Sequence, residues 1–160
     1  MNSSPNIKKL LEHYQNRQFD EAEKLALIMT NELPDHPMPW QVLGAIFSQT
    51  GRKSEAIDAN LKALQIAPNN PQAHNNYGIT LQELGRFDEA EISFKQAISL
   101  KSNYAEAYSN LGNAIIELGK LEEAEMVCRK AISIRSDYAE GHNNLGIILQ
   151  RMCKLEQAAE

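Results

Sequence analysis

Glycine returns every 34 residues, at Gly44, Gly78, Gly112 and Gly146, and alanine keeps the same interval at Ala22, Ala56, Ala90, Ala124 and Ala158. The stretch NNYGITLQELGRFDEA, residues 75–90, comes back as SNLGNAIIELGKLEEA at 109 and as NNLGIILQRMCKLEQA at 143. A fixed period of this size means one small structural unit copied and stacked. Each copy buries its apolar face against its neighbours. That constraint outranks any single motif.

We number the slots of each 34-residue unit from Ser3, Pro37, Pro71, Ala105 and Ala139. Slots 4, 7, 8 and 11 hold Trp40, Leu43, Gly44 and Phe47 in the second unit. They hold His74, Tyr77, Gly78 and Leu81 in the third, and Tyr108, Leu111, Gly112 and Ile115 in the fourth. The fifth has His142, Leu145, Gly146 and Leu149. Steps of three and four put these side chains on one face of a helix. Glycine inside that face costs about 1 kcal/mol against alanine, which makes sense where a second helix crosses too closely for a Cβ. The crossing helix is marked by Ala56 and Ala63, Ala90 and Ala97, and Ala124 and Ala131, each pair seven residues apart. Between the two helices stand Gly51, Gly85 and Gly119, suited to a left-handed cap. The sequence therefore predicts an all-α fold of antiparallel helix pairs, helix A then helix B.

The acids Asp20, Glu21 and Glu23, then Asp88, Glu89 and Glu91, then Glu122, Glu123 and Glu125, fall at the start of helix B. Negative charge there complements the helix dipole, so the DEAE text reads as structure and not as a catalytic carboxylate pair. Pro34 and Pro68 at slot 32 end helix B, and Ser102 and Ser136 take that slot later.

These residues resemble the tetratricopeptide repeat (TPR) family, whose signature is W-x2-L-G-x2-Y, then A-x3-F, then P. Trp40-Gln-Val-Leu43-Gly44-Ala-Ile-Phe47 matches the first part and Ala90-x3-Phe94 the second. The resemblance implies a right-handed α-solenoid of tandem helix pairs, a single TPR domain over residues 1–160. Its units span about 3–36, 37–70, 71–104, 105–138 and a partial 139–160. The first unit departs from the pattern, with Lys9 and Leu10 in the Leu-Gly slots, as terminal capping repeats do. Asn60 and Cys128 replace the aromatic residue at slot 24.

The fifth unit reaches only slot 22, and Cys153 stands where the turn glycine belongs, so a weak final hairpin is expected. Either the chain is part of a longer protein, or its uncapped C-terminal end is covered by another copy or a partner. Self-association through that end is an expectation of the second reading.

At about 100° per residue, slots 2, 6, 9 and 13 of helix A lie opposite the packing face. By the family resemblance this stripe lines a concave groove that holds a peptide. Slot 2 carries Met38, Gln72, Glu106 and Glu140; slot 6 carries Val42, Asn76, Asn110 and Asn144. Slot 9 carries Ala45, Ile79, Asn113 and Ile147; slot 13 carries Gln49, Glu83, Glu117 and Arg151. An Asn side chain offers one acceptor and one amide donor group, matching a peptide backbone. A ladder of them resembles the groove of O-GlcNAc transferase-type TPR arrays and implies an extended peptide partner. Asn side chains at these places also serve simply to bond neighbouring helices. TPR domains that hold chaperone C-terminal carboxylates do so with Lys and Arg, whereas this stripe has four acids and one base, Arg151.

The 16 basic residues are dispersed and the net charge is −5, which argues against a nucleic-acid-binding patch. No apolar run reaches the roughly 20 residues of a membrane span, so direct membrane binding is not expected either. The N-terminal text MNSSPNIKKLLEHYQ lacks the apolar core of a secretory signal. Cys128 and Cys153 have no metal-type spacing, and two reduced thiols suit a cytoplasmic protein. His74 and His142 share slot 4 two units apart, and His13 and His36 have no partner at helical spacing, so no metal ion or other cofactor is expected. Partly buried structural histidines replacing Trp or Tyr are the reading of that slot. No nucleophile–base set or phosphate loop is visible, and the chain reads as non-enzymatic. Its expected function is a protein–protein interaction module. The alternative is a substrate-recruiting arm of a larger glycosyl- or sulfotransferase-type enzyme.

Overall fold

In the computed structural model, residues 5–159 are described, and among them nine α-helices and no strand occur. The helices are α1 (Pro5–Gln15), α2 (Phe19–Glu32), α3 (Pro37–Gln49), α4 (Lys53–Ile66) and α5 (Pro71–Glu83). They continue as α6 (Phe87–Leu100), α7 (Ala105–Glu117), α8 (Leu121–Ile134) and α9 (Ala139–Ala159). The odd helices α3, α5, α7 and α9 start at slot 1 of their units. The even helices all start at slot 17 and stop at slot 30, whether proline or serine follows at slot 32. The stop is thus set by the turn that every unit shares and not by proline alone.

The chain divides into two compact units, Met1–Thr80 and Leu81–Glu160, the boundary falling inside α5. In the first, α1 packs on α2 and α3, α2 on α3, and α3 on α4. Its core joins Leu10, Met29, Leu43, Ile46 and the alanines of α2 and α4. In the second, α6 packs on α7, α7 on α8 and α9, and α8 on α9. Ala90, Ala97, Ala124 and Ala131 are fully buried there, beside Phe94 and Ile115.

The A-to-B turns are Schellman caps. Gly51, Gly85 and Gly119 sit at φ of 77, 74 and 76°. The following amide closes on a carbonyl five residues back: Arg52 N to Phe47 O at 2.8 Å, Arg86 N to Leu81 O at 2.9 Å, Lys120 N to Ile115 O at 3.2 Å. The first unit makes the same turn without glycine, with Arg17 at φ 57° and Gln18 N on His13 O at 2.9 Å.

The slot-8 glycines are explained by what faces them. A Cβ on Gly44 would stand 2.3 Å from Asn60 Oδ1, and one on Gly112 would stand 2.4 Å from Cys128 Sγ. Those neighbours occupy slot 24 of the crossing helix. In the first unit the sizes are exchanged: Leu10 holds slot 8 and Ala26 slot 24, both fully buried in one cluster. What recurs at the crossing is one small partner facing a larger one. Asn60 brings a polar group into this position, and its Nδ2 donates to Thr80 Oγ1 at 2.9 Å.

The fifth unit corrects the expectation of a final hairpin. α9 runs straight through Cys153 as one helix of 21 residues. Its A–B face is open: Leu149 is 44% exposed, and a Cβ on Gly146 would meet nothing within 4 Å.

Acids at the starts of the even helices also tie successive units. Glu23 pairs with Arg52 at 2.7 Å in the first compact unit. In the second, Glu91, nearly buried, takes Lys95 at 2.6 Å and Lys120 at 2.9 Å. Lys95, and then Lys120, hold the Glu91 carboxyl below the usual carboxylate range against the opposing effect of burial.

Candidate functional site

The odd helices turn one face to the helix pairing and leave slots 2, 6, 9 and 13 largely outside it. In the first compact unit, however, the stripe is partly consumed by packing. Val42 is only 5% exposed and lies in the core with Leu10 and Leu43, so it is withdrawn from the candidate groove. Its reason is the aliphatic side chain, which gains more from burial than from water. Met38 packs half-buried against the same core. Gln49 is exposed and donates from Nε2 to the Tyr14 hydroxyl at 2.7 Å. Gln72 Nε2 donates to Asn76 Oδ1 at 3.0 Å, and Ile79 is half-buried.

In the second compact unit, Glu83, Glu106, Asn113 and Glu117 are exposed and Asn110 is half-buried. Asn144 is not a free rung: its Nδ2 donates to Ser109 O at 3.3 Å and Ser109 Oγ at 3.2 Å, joining α9 to α7. Ile147 is 37% exposed. Arg151 donates to Ile116 O at 3.3 Å and to Glu117 Oε1 at 3.4 Å. The asparagines therefore divide their hydrogen bonding, with one group spent on helix neighbours at Asn76 and Asn144.

Sequence reasoning missed the buried polar row at slot 5. Gln41, Asn75 and Ser109 are 7, 0 and 1% exposed. Their signal was a polar residue recurring beside the apolar face every 34 positions. It also missed Tyr138, whose hydroxyl donates to the Glu140 carboxylate while Ser109 bonds the same hydroxyl. Burial, then the negative charge of Glu140, pushes the Tyr138 hydroxyl up to about 12, and Glu106 acts in the same direction. Arg135 stacks on the Tyr138 ring, 3.8 Å from its centre.

Trp40, His74 and His142 share one task at slot 4. Trp40 Nε1 donates to Pro34 O at 3.4 Å. His74 Nε2 meets Pro68 O at 2.8 Å, and His142 Nε2 meets Ser136 O at 2.8 Å. Each imidazole thus carries its proton on Nε2 and ties the slot-32 carbonyl of the preceding loop. His142 is exposed, not partly buried. Among the described residues no group of three His, Cys, Asp or Glu is placed to hold a metal ion. No helix among them is long and apolar enough to cross a membrane.

Helix pairs repeating every 34 residues, positive-φ glycine turns within them and glycine facing the crossing helix at Gly44 and Gly112 define a tandem helix-pair repeat protein. Profiles described as tetratricopeptide repeat match residues 7–71 and 59–92, and one described as TPR repeat matches 81–119 and 112–152. The chain belongs to the tetratricopeptide repeat family. Among solved structures it is similar to the first TPR domain of human RPAP3, at 29% identity and TM-score 0.73, over 78% of this chain and 98% of that one. The first TPR of Spaghetti (RPAP3), bound to HSP90 peptide SRMEEVD, is 28% identical with TM-score 0.67, over 80% of this chain and 93% of that one. Pseudomonas aeruginosa pilF shares the fold at 20% identity and TM-score 0.84, over 93% of this chain and 68% of that one. Comparison with curated proteins finds no match.

Proposed function

We propose that the chain is a protein–protein interaction module that holds an extended peptide segment on the outer stripe of its odd helices. The observation that carries this reading is the stripe itself, where side chains able to both donate and accept recur at slot 6, with Asn113 adding one at slot 9. A similar repeat domain at 28% identity is solved with a peptide bound, which supports the same use here. On this reading Asn76, Asn110, Asn113 and Asn144 meet peptide amides with the groups not spent on neighbouring helices. Ile79 and Ile147 add apolar contact, and the residues act by binding without catalysis of their own. The likeness of the asparagine ladder to O-GlcNAc transferase-type arrays supports backbone reading and no more than that. The unpaired Cys128 and Cys153 suit a cytoplasmic setting.

The test is capture of extended peptides from a mixed library by the protein and by an N76A/N110A/N144A variant of equal helicity. Asn113→Ala, at a fully outward position, serves as a second variant that leaves the α7–α9 bond of Asn144 in place. Loss of peptides of varied sequence in both variants is the expected result. Equal capture by all three proteins would assign the asparagines to structure alone.

A further inference from the structure

On α7 the residues at slots 7, 8 and 11, Leu111, Gly112 and Ile115, are buried, and α8 lies over them with Cys128 facing Gly112. Their copies on α9 are Leu145, which is half-buried, and Gly146 and Leu149, which are exposed. A Cβ on Gly146 would meet nothing within 4 Å. The same face is therefore covered once and open once, and the molecule itself shows what kind of helix covers it.

That complement is written three times. Arg52-x3-Ala56-x6-Ala63, Arg86-x3-Ala90-x6-Ala97 and Lys120-x3-Ala124-x6-Ala131 head and line α4, α6 and α8, and all of these alanines are fully buried. The leading base has a partner of its own, the acid at slot 21 of the preceding unit. Arg52 meets Glu23 at 2.7 Å, and Lys120 meets Glu91 at 2.9 Å. Glu91 is held as well by Lys95 of its own helix at 2.6 Å. Glu125 is the next acid in that row. It has Arg129 of its own helix at 2.8 Å and, among the described residues, no base in the place that Lys120 takes beside Glu91.

We infer that the open face of α9 receives a helix of another protein, one reading Lys or Arg, then Ala four residues on, then Ala seven further. Its alanines approach Gly146 and Leu149 as those of α8 approach Gly112 and Ile115, and its base completes Glu125. Apolar packing and one charge pair thus ask for the same occupant. A second copy of this chain fits less well, because its own open face offers Leu145, Leu149 and Met152 in place of alanines. Bulky residues on both sides hold two helix axes apart. This surface is separate from the stripe of slots 2, 6, 9 and 13, and its test does not depend on peptide binding there.

Fluorescence anisotropy under reducing conditions tests this with a labelled peptide of residues 120–134, the chain's own example of such a helix. So short a helix is only marginally formed in isolation, and the titration therefore runs to about 1 mM protein. Saturable binding is expected, with none for a scrambled peptide of the same composition. Gly146→Leu, which has open space in the free protein, should keep the helicity and Tm and weaken binding about tenfold or more by overpacking the complex. Glu125→Gln should weaken it about threefold. Ile92→Ser removes an apolar side chain that is 70% exposed on α6 and should change nothing. Equal binding of the scrambled peptide, equal affinity of Gly146→Leu, or no binding over the whole range each overturns the docking face. A dimer in sedimentation equilibrium that Gly146→Leu abolishes would give the face to a second copy and overturn the partner assignment.

Discussion

α7–α8 and α9 are built from nearly the same text, yet one closes into a hairpin and the other does not. α7 stops at Glu117, Gly119 takes φ 76°, and α8 returns to bury Ala124, Cys128 and Ala131. α9 passes its equivalent position, Cys153, as helix. Glycine alone does not account for the difference, because Arg17 makes the same turn at φ 57° in the first unit. What α2 has and α9 lacks is something to bury: Ala22, Ala26 and Met29 are fully buried on α2, whereas Leu155 is 63% exposed. A turn at a non-glycine residue costs roughly 1–2 kcal/mol in the left-handed region, and Lys154, Leu155 and Gln157 beyond Cys153 are exposed and bury nothing to offset it. Helix simply continues.

The strongest way to break the comparison is at slot 8, where the closed hairpin has a glycine with no room. Gly112→Leu is expected to destabilise by about 1–3 kcal/mol through overpacking against Cys128, read from the urea midpoint. Gly112→Leu combined with Cys128→Ala should recover more than half of the loss, since Leu10 and Ala26 already make that exchange in the first unit. A neutral Gly112→Leu would show that α7 and α8 do not cross at this point.

The same substitution type has the opposite sign on α9. Gly146→Ala should stabilise by about 1 kcal/mol, the helix propensity difference, because nothing stands within 4 Å of the new Cβ. A loss of stability there would mean the face is covered in solution.

The period, the helix pairs, their boundaries and the meaning of slot 8 were legible because each depends on local residues that recur. Position-by-position copies average out accident. The straight α9 was not legible, since it depends on the balance between a turn's cost and the burial available beyond it, and neither is a local property. The groove was legible as a stripe but not in its detail. Val42 reads like its asparagine counterparts by position and is buried by side-chain chemistry. Asn144 reads as a ladder rung, but its bond to Ser109 depends on how α7 and α9 lie side by side.

Cys153→Gly sharpens the contrast at the turn itself. Glycine inside α9 should cost about 1 kcal/mol of helix stability, seen as lower helicity and a lower Tm. A rise in Tm would show that the fifth unit bends at this position when given a residue suited to positive φ.

The smallest intervention leaves the stability untouched and asks which thiol solvent can reach. Cys128 is fully buried beneath Gly112, and burial pushes its thiol up to about 11. A raised value means the thiol stays protonated at neutral pH and below, so the nucleophilic thiolate is scarce as well as shielded. Cys153 is exposed on α9. Iodoacetamide at pH 8 should therefore add one label quickly, at Cys153, with the second appearing only as the α7–α8 pair opens. Gly112→Leu, by wedging that pair apart, should speed the second label while leaving the first unchanged. Two labels at equal rates on the unaltered protein would place Cys128 outside the crossing, and the closed hairpin would lose the feature that sets it apart from α9.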